Sequence, residues 1–377
     1  MKNNKDITVY VAMSGGVDSS VAAGLIKEAG YNTIGVTMSF NIMRNDCKAS
    51  CCGIDGIVDA VRAADILGIP HQVIDFAHDI NATIIDNFID EYLNGRTPNP
   101  CVRCNQYLKF GALYQKTKAL GGEYLATGHY GRVEFNVQRH CYELKKAVDP
   151  KKDQSYFLYS MEKEILPSVM FPLGGMTKLQ VRALARKFAL NTAEKPESQD
   201  ICFVPAGGYK EFIENRMGSK VMVPGPFVDE KGQVIGQHKG LANYTIGQRD
   251  KLGLALGHPV YVYKIDRKNN SVHVGNLKRL YAGGLKASGA NWVSMEIPQE
   301  TIEVSAKIRY NSPEVKAYLT PTDKGGVCVE FAEPQKSVTP GQSVVFYDGD
   351  VVLGGAVIDE ALGLSDEESA LGFCRGT

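Results

Sequence analysis

Residues 14–20 read Ser-Gly-Gly-Val-Asp-Ser-Ser and lie between an apolar run, Ile7–Met13, and a helical stretch, Val21–Ala29, which Gly30 closes as a C-cap. Two adjacent glycines let the backbone approach an anion and turn successive N–H groups toward it. The hydroxyls of Ser14, Ser19 and Ser20 add donors, and the helix that follows offers its positive end. Asp18 is out of place beside a polyphosphate unless it holds Mg²⁺ or orients those donors. The loop lacks the Gly-x-x-x-x-Gly-Lys-Ser/Thr spacing of the usual ATPase loop and the Gly-x-Gly-x-x-Gly of a dinucleotide site. A strand, an anion-binding turn and a helix in this order require a sheet for the strand to join.

The sequence supplies further strands. Asn32–Met38, Gln72–Phe76 and Glu123–Thr127 read as strands, and Ile57–Leu67 and Thr83–Leu93 as helices. Strands alternating with helices predict an α/β, doubly wound parallel sheet with its ligand at the carboxyl ends of the strands. After about Gly207 the pattern becomes β-rich. Val221–Gly236 holds two strands around Asp229–Gly232, and Val260–Ile265 and Ser271–Val274 form a hairpin around Asn269-Asn270. Glu303–Arg309, Val315–Leu319, Val327–Phe331 and Ser343–Val357 continue as strands. A length of 377 residues accommodates three units: a catalytic domain over 1–207, a small β-rich linker domain over 208–282, and a β-barrel over 283–377.

Lys+Arg and Asp+Glu both number 42, so a basic surface for RNA has to be local and offset elsewhere. No run approaches the roughly 18 apolar residues of a membrane helix, and the polar start at Met1–Asp6 predicts no signal peptide and a cytoplasmic location. Nine cysteines at uneven spacing predict thiols, a few of them catalytic or metal-binding. Cys101 and Cys104 form a C-x-x-C pair in Arg96–Phe110 (RTPNPCVRCNQYLKF), where two prolines stiffen a loop re-entering a helix, whose N-terminus favours a thiolate. Cys202 lies in Glu197–Pro205 (ESQDICFVP). Cys47, Cys51 and Cys52 lack a nearby His to complete a zinc set and read as part of a loop near the site.

The loop Ser14–Ser20 resembles the pyrophosphate loop of the ATP pyrophosphatases, which adenylate a carbonyl oxygen with ATP. GRTPNP, ATGHY at Ala126–Tyr130, KKDQSYFL at Lys151–Leu158, SQDICF at Ser198–Phe203, Tyr244–Arg249, Arg309-Tyr310 and Pro340–Gln342 extend the likeness along nearly the whole chain. Together they resemble the tRNA-specific 2-thiouridylase family, MnmA.

That resemblance implies ATP and Mg²⁺ bound by Ala12, Met13, Ser14, Gly15, Gly16, Val17, Asp18 and Ser19, with Met38 and Gly128. It implies that Asn99, Pro100 and Cys101 face a flipped wobble uridine in the anticodon arm of tRNAs of the Lys, Glu and Gln type. His129, Lys152, Asp153, Gln154, Arg309, Tyr310 and Gln342 would contact tRNA. Cys104 would be the nucleophile, and Cys202 would carry a persulfide delivered by a sulfur-donor protein. A base taken out of the stack and an RNA loop read by sequence suit that chemistry. Some relatives carry Asp where this chain has Cys101. Cys101, Cys104 and Cys202 thereby admit a second scheme, a [4Fe–4S] cluster with one open iron. The other reading of the nucleotide loop is an ATP pyrophosphatase that amidates a small molecule.

Overall fold

The computed structural model describes residues 2–41, 54–195, 201–205, 207–218 and 222–364. The loop carrying Cys47, Cys51 and Cys52, and Glu197–Asp200 before Cys202, lie outside the described residues.

The chain opens with β1 (Thr8–Ala12), α1 (Val17–Glu28), β2 (Asn32–Ser39), α2 (Ile54–Leu67) and β3 (His71–Asp75). A long helical passage follows. It comprises α3 (Ala77–Ile80), a π-helical turn Asn81–Ile85, α4 (Asp86–Leu93), the Arg96–Asn99 loop, α5 (Pro100–Arg103), a π-helical stretch Cys104–Leu113 and α6 (Tyr114–Ala119). β4 (Tyr124–Thr127), the hairpin β5 (Arg132–Asn136) and β6 (Cys141–Lys145), the short β7 (Val169–Met170), α7 (Lys178–Lys187) and α8 (Gly208–Met217) complete the first half.

β3, β2, β1, β4 and β7 form one parallel sheet in that order. β1 is central, and successive side chains point to opposite faces. Val9, Val11 and Met13 join a core with α1 and α2 on one face, while Tyr10 joins a second core with Phe88 and Phe110 on the other. Burial on both faces is why the strand is continuously apolar. β1 has β2 on one side and β4 on the other, so the strand order reverses here. The crevice at the carboxyl ends of β1 and β4 is therefore where a ligand fits, and residues 14–16 and 128–129 lie in it.

The second half is β throughout, as the sequence pattern indicates. β8 (Gly225–Val228), β9 (Val234–His238), β10 (Tyr261–Asp266) and β11 (Ser271–Gly275) form a sheet in the order β10-β11-β8-β9. β12 (Tyr281–Asn291), β13 (Ile302–Lys307), β14 (Val315–Thr322), β15 (Gly326–Lys336), β16 (Ser343–Asp348) and β17 (Val351–Gly363) form a closed six-stranded barrel, because β12 pairs with both β15 and β17. Its interior is filled by Leu285, Val304, Leu319, Val329, Val344 and Ile358.

The β5–β6 hairpin, which the sequence reading did not anticipate, extends this barrel sheet from the first half of the chain. Lys145 pairs with Val351. Arg132 Nη2 donates to Asp350 at 2.8 Å, and the Leu144 N–H donates to Ser294 Oγ at 2.8 Å.

The barrel also grips the Pro-rich loop ahead of Cys101. The Thr97 N–H donates to the Pro340 carbonyl at 2.8 Å, and Gln342 Nε2 donates to the Thr97 and Pro98 carbonyls at 2.9 and 3.2 Å. Arg96 bridges Glu91 at 2.7 Å and Asp359 at 3.2 Å. A loop with two prolines has few N–H groups to pin it from within, so its carbonyls are pinned from outside. Gln342→Leu, nearly equal in size, removes both donors. It is expected to lower stability by about 1–2 kcal/mol, seen as a lower denaturation midpoint. An unchanged midpoint would show that the clamp carries no stability.

Candidate active site

The Ser14–Ser20 loop is shaped largely by its own hydroxyls. Ser19 Oγ accepts from the Ser14 N–H at 3.1 Å and donates to the Gly16 carbonyl at 3.2 Å. Ser20 Oγ, fully buried, also donates to Gly16 O, at 2.9 Å. Ser19 and Ser20 therefore hold the turn rather than face outward. The side chains of Met13 and Val17 are core residues, 2% and 4% exposed, so an anion would meet their backbone. Gly16, the N-cap of α1, offers no side-chain acceptor, and the first N–H groups of a helix have no intrahelical partner. This leaves the helix end open to an anion.

Glycine is required here for two separate reasons. Gly15 has φ +71°, and a Cβ on it would meet the Gly56 backbone. Gly128, at the end of β4, lies so close to the loop that a Cβ would stand 2.6 Å from the Ser19 nitrogen. At Gly16 a Cβ would meet only Ser14 Oγ, at 3.5 Å.

Asp18 has defined partners. Lys178 Nζ donates to both carboxylate oxygens at 2.7 and 2.8 Å, and Tyr130 Oη donates to Oδ1 at 2.9 Å. Lys178 is placed by the start of α7, where Thr177 and Gln180 form a capping box. Tyr130 is placed by Gln154, whose Oε1 accepts its N–H at 3.0 Å and whose own N–H donates to its carbonyl at 2.8 Å. Asp153 accepts from the Ala147 N–H at 2.9 Å and from Ser155 Oγ at 2.8 Å. Lys195 Nζ reaches the Gly15 carbonyl at 3.2 Å and Asp59 at 2.6 Å. Two lysines thus flank the loop, each held by a carboxylate. The sequence reading gave no role to Tyr130, Lys178, Lys195 or Asp59. The Thr177-x-x-Gln180 cap is the one local signal that α7 begins there.

His129 packs tilted against Phe110 and edge-on to Phe171. Its Nδ1 lies 2.7 Å from Thr127 Oγ1 and its Nε2 3.3 Å from Lys109 Nζ. Burial first, and the Lys109 charge second, push its pKa well below the ordinary value. The imidazole is therefore neutral, accepting from Lys109 and donating to Thr127. Lys109 lies in the π-helical stretch that begins at Cys104, so this contact ties the cysteine helix to the segment after β4. π-helical distortions concentrate at functional positions.

Asn99 caps α5, its Oδ1 accepting from the Val102 N–H at 3.3 Å, with Pro100 as the first helical residue. Cys101 is exposed, and Cys104 and Cys202 are half-buried. Cys104 and Cys202 border the same core, where Phe88 and Phe203 meet edge-on with ring centroids 5.2 Å apart. Met38 borders that core as well.

Further off, Arg309 Nη2 donates to the Lys336 and Ser337 carbonyls, both at 2.7 Å, and Tyr310 packs on Phe157 at 4.5 Å. The side chains of Asp153, Gln154, Arg309 and Gln342 thus all have internal partners. Lys152 lies at the surface of a turn, its N–H donating to the Asp149 carbonyl at 3.0 Å. Among the described residues no group of three or more His, Cys, Asp or Glu is gathered so as to hold a metal ion. Cys101, Cys104 and Cys202 do not come together as a cluster ligand set.

A parallel sheet with an anion-binding turn at its switch point, followed by two β modules, defines a nucleotide-binding α/β domain with two appended β domains. The family described as "tRNA methyl transferase HUP domain" matches residues 7–206, "tRNA methyl transferase PRC-barrel domain" 210–276, and "Aminomethyltransferase beta-barrel domain" 282–358. The chain is 50% identical over 357 residues to tRNA-specific 2-thiouridylase MnmA 1 of Caldanaerobacter subterraneus subsp. tengcongensis, covering 93% of this chain and 98% of that one. It is 48% identical over 368 residues to the MnmA of Geotalea uraniireducens, covering 96% and 97%. It is also 48% identical over 359 residues to that of Carboxydothermus hydrogenoformans, covering 94% and 98%. The chain belongs to the tRNA-specific 2-thiouridylase family.

Two outcomes follow from the site. Asp18→Asn keeps the shape but loses the ion pair that fixes Lys178. ATP turnover is expected to fall about 10²-fold or more, with an unchanged circular dichroism spectrum; normal turnover would show that the pair is dispensable. Because folded His129 stays neutral where an unfolded histidine protonates, its contribution to stability is full above pH 6.5 and is lost as pH falls below that. Melting curves from pH 7 to 5 should therefore fall less steeply in His129→Gln than in the parent. Parallel curves would contradict the burial.

Proposed function

We propose that this protein uses ATP to replace O2 of the wobble uridine of tRNA with sulfur. The observation that carries the reading is the pairing of an anion-binding helix start, flanked by Lys178 and Lys195, with two half-buried thiols on an adjoining core. Near-full-length relatives named 2-thiouridylases support it.

ATP lies with its phosphates on the Ser14–Asp18 turn. Mg²⁺ bound with the nucleotide would neutralise the departing pyrophosphate, and Asp18, in the same turn, is the carboxylate that would hold it. Uridine O2 attacks the α-phosphorus and pyrophosphate leaves, so a poor leaving group becomes AMP. The terminal sulfur of a persulfide on Cys202 attacks C2 and AMP departs. The Cys104 thiolate then attacks the Cys202 sulfur, the S–S bond to the base-bound sulfur breaks, and 2-thiouridine leaves with a Cys104–Cys202 disulfide behind. A two-electron thiol reductant restores both thiols, and a persulfide-donor protein recharges Cys202. Asn99, Pro100 and Cys101 line the base pocket. Lys152 and Tyr310 face the anticodon arm, while His129, Asp153, Gln154, Arg309 and Gln342 act on the RNA through the segments they brace. The [4Fe–4S] scheme is not adopted, since Cys101, Cys104 and Cys202 do not gather as ligands.

The test uses ATP, a persulfide donor, a reductant and unmodified tRNA, with pyrophosphate and 2-thiouridine measured together. Pyrophosphate should appear only with tRNA. Cys104→Ser and Cys202→Ser should each lose 2-thiouridine, while Cys101→Ser keeps most of it. Pyrophosphate release without RNA, or activity that tracks bound iron and dies with Cys101→Ser, would overturn the scheme.

A further inference from the structure

We propose that a cleft in the central module, walled by Lys210, Lys239 and Lys251, binds backbone phosphates of the RNA substrate. The proposal rests on the function given above and adds a second anchoring point for that substrate. The cleft encloses about 270 Å³, and Gln237, Asn243, Tyr244, Leu252 and Gly253 complete its lining. The three lysines come from separate elements: Lys210 from α8, Lys239 from the turn after β9, and Lys251 from the loop after Tyr244–Arg249. Chain folding, not local sequence, brings the charges together.

Among the described residues no carboxylate pairs with any of the three, although Asp250 adjoins Lys251 in sequence. Acids of the same module are engaged in other contacts. Asp229 accepts the N–H groups of Lys231 and Gln233 in its own turn. Glu230 takes Asn276 and Arg279, Asp266 takes Asn269, and Glu211 folds back over Gly207. Lys210 donates to the Asn243 carbonyl at 2.8 Å. Its pKa is pushed down, by burial first and by the Lys251 charge second. An anion in the cleft relieves the second cost and adds charge-assisted hydrogen bonds.

The wider field has the same sign. Residues 208–282 hold twelve Lys and Arg against six Asp and Glu, a net of +6 in a chain whose total is zero. A local basic surface inside a neutral protein is the electrostatic footprint of a polyanion. A polyanion bound here also meets the catalytic scaffold. α8 follows the Cys202 segment, and its Tyr209 stacks on Tyr92 of α4 with ring centroids 4.2 Å apart.

The test compares wild type with Lys239→Ala/Lys251→Ala, both exposed positions, in tRNA binding across a salt series. A control removes two equally exposed charges from the β10–β11 hairpin, Lys264→Ala/Arg267→Ala. The cleft variant should bind about fivefold or more weakly at low salt, and its log–log salt slope should fall by about 0.7–0.9 per lost contact. The control should keep nearly the parent slope. Equal slopes in wild type and cleft variant, or equal losses in cleft variant and control, would overturn the proposal. So would calorimetric binding of inorganic phosphate that the cleft variant loses while its tRNA affinity is unchanged, since the cleft would then serve a free anion. Failure of the wild type to bind tRNA would instead count against the function itself.

Discussion

Asp18, held between Lys178 and Tyr130, is the interaction on which the catalytic half depends. It joins the first turn of α1 to the start of α7, 160 positions away, and to the loop after β4, 112 positions away. An acid beside a phosphate site would ordinarily oppose binding. Here its charge is matched, and its effect is to hold a lysine at the mouth of the anion site. Removing one partner of such a half-buried pair leaves the other uncompensated, which protects the arrangement against drift.

The second constraint is mechanical. The loop before Cys101 contains two prolines and has few donors, and the far end of the chain secures it through Gln342 and the Pro340 carbonyl. The β5–β6 hairpin reaches back to join the barrel sheet beside β17. The barrel is thus built into the catalytic half through both of these segments. The distant module thereby fixes the loop that leads into Cys101.

Much of this was legible in the sequence, for physical reasons that differ by element. β1 declared itself because a strand buried on both faces must be apolar throughout. The nucleotide turn declared itself because only glycine tolerates the backbone at residue 15 and the approach at residue 128. The central hairpin showed itself through Asn269-Asn270, with Asn270 at φ +46°. Lys178 did not, because its partner lies 160 residues away and a lysine at a helix start has no local signature. The β5–β6 hairpin was hidden because its short, charged strands gain stability from a barrel formed some 200 residues later. Ser20 was misjudged as an anion donor; in the structure its hydroxyl satisfies the Gly16 carbonyl inside the turn. Asp153, Gln154 and Gln342 show a related effect, since motif residues expected at the RNA have side chains that brace loops from within.

The central claim is that uridine O2 is joined to AMP before sulfur arrives. The most direct measurement is the fate of that oxygen in a single-turnover reaction on tRNA carrying ¹⁸O at O2 of the wobble uridine. Adenylation at O2 followed by attack of sulfur at C2 sends the label into the phosphate of AMP, one atom per 2-thiouridine formed, with unlabelled pyrophosphate. Label appearing in inorganic phosphate alongside ADP, or retained in the nucleoside while 2-thiouridine forms, would contradict the account.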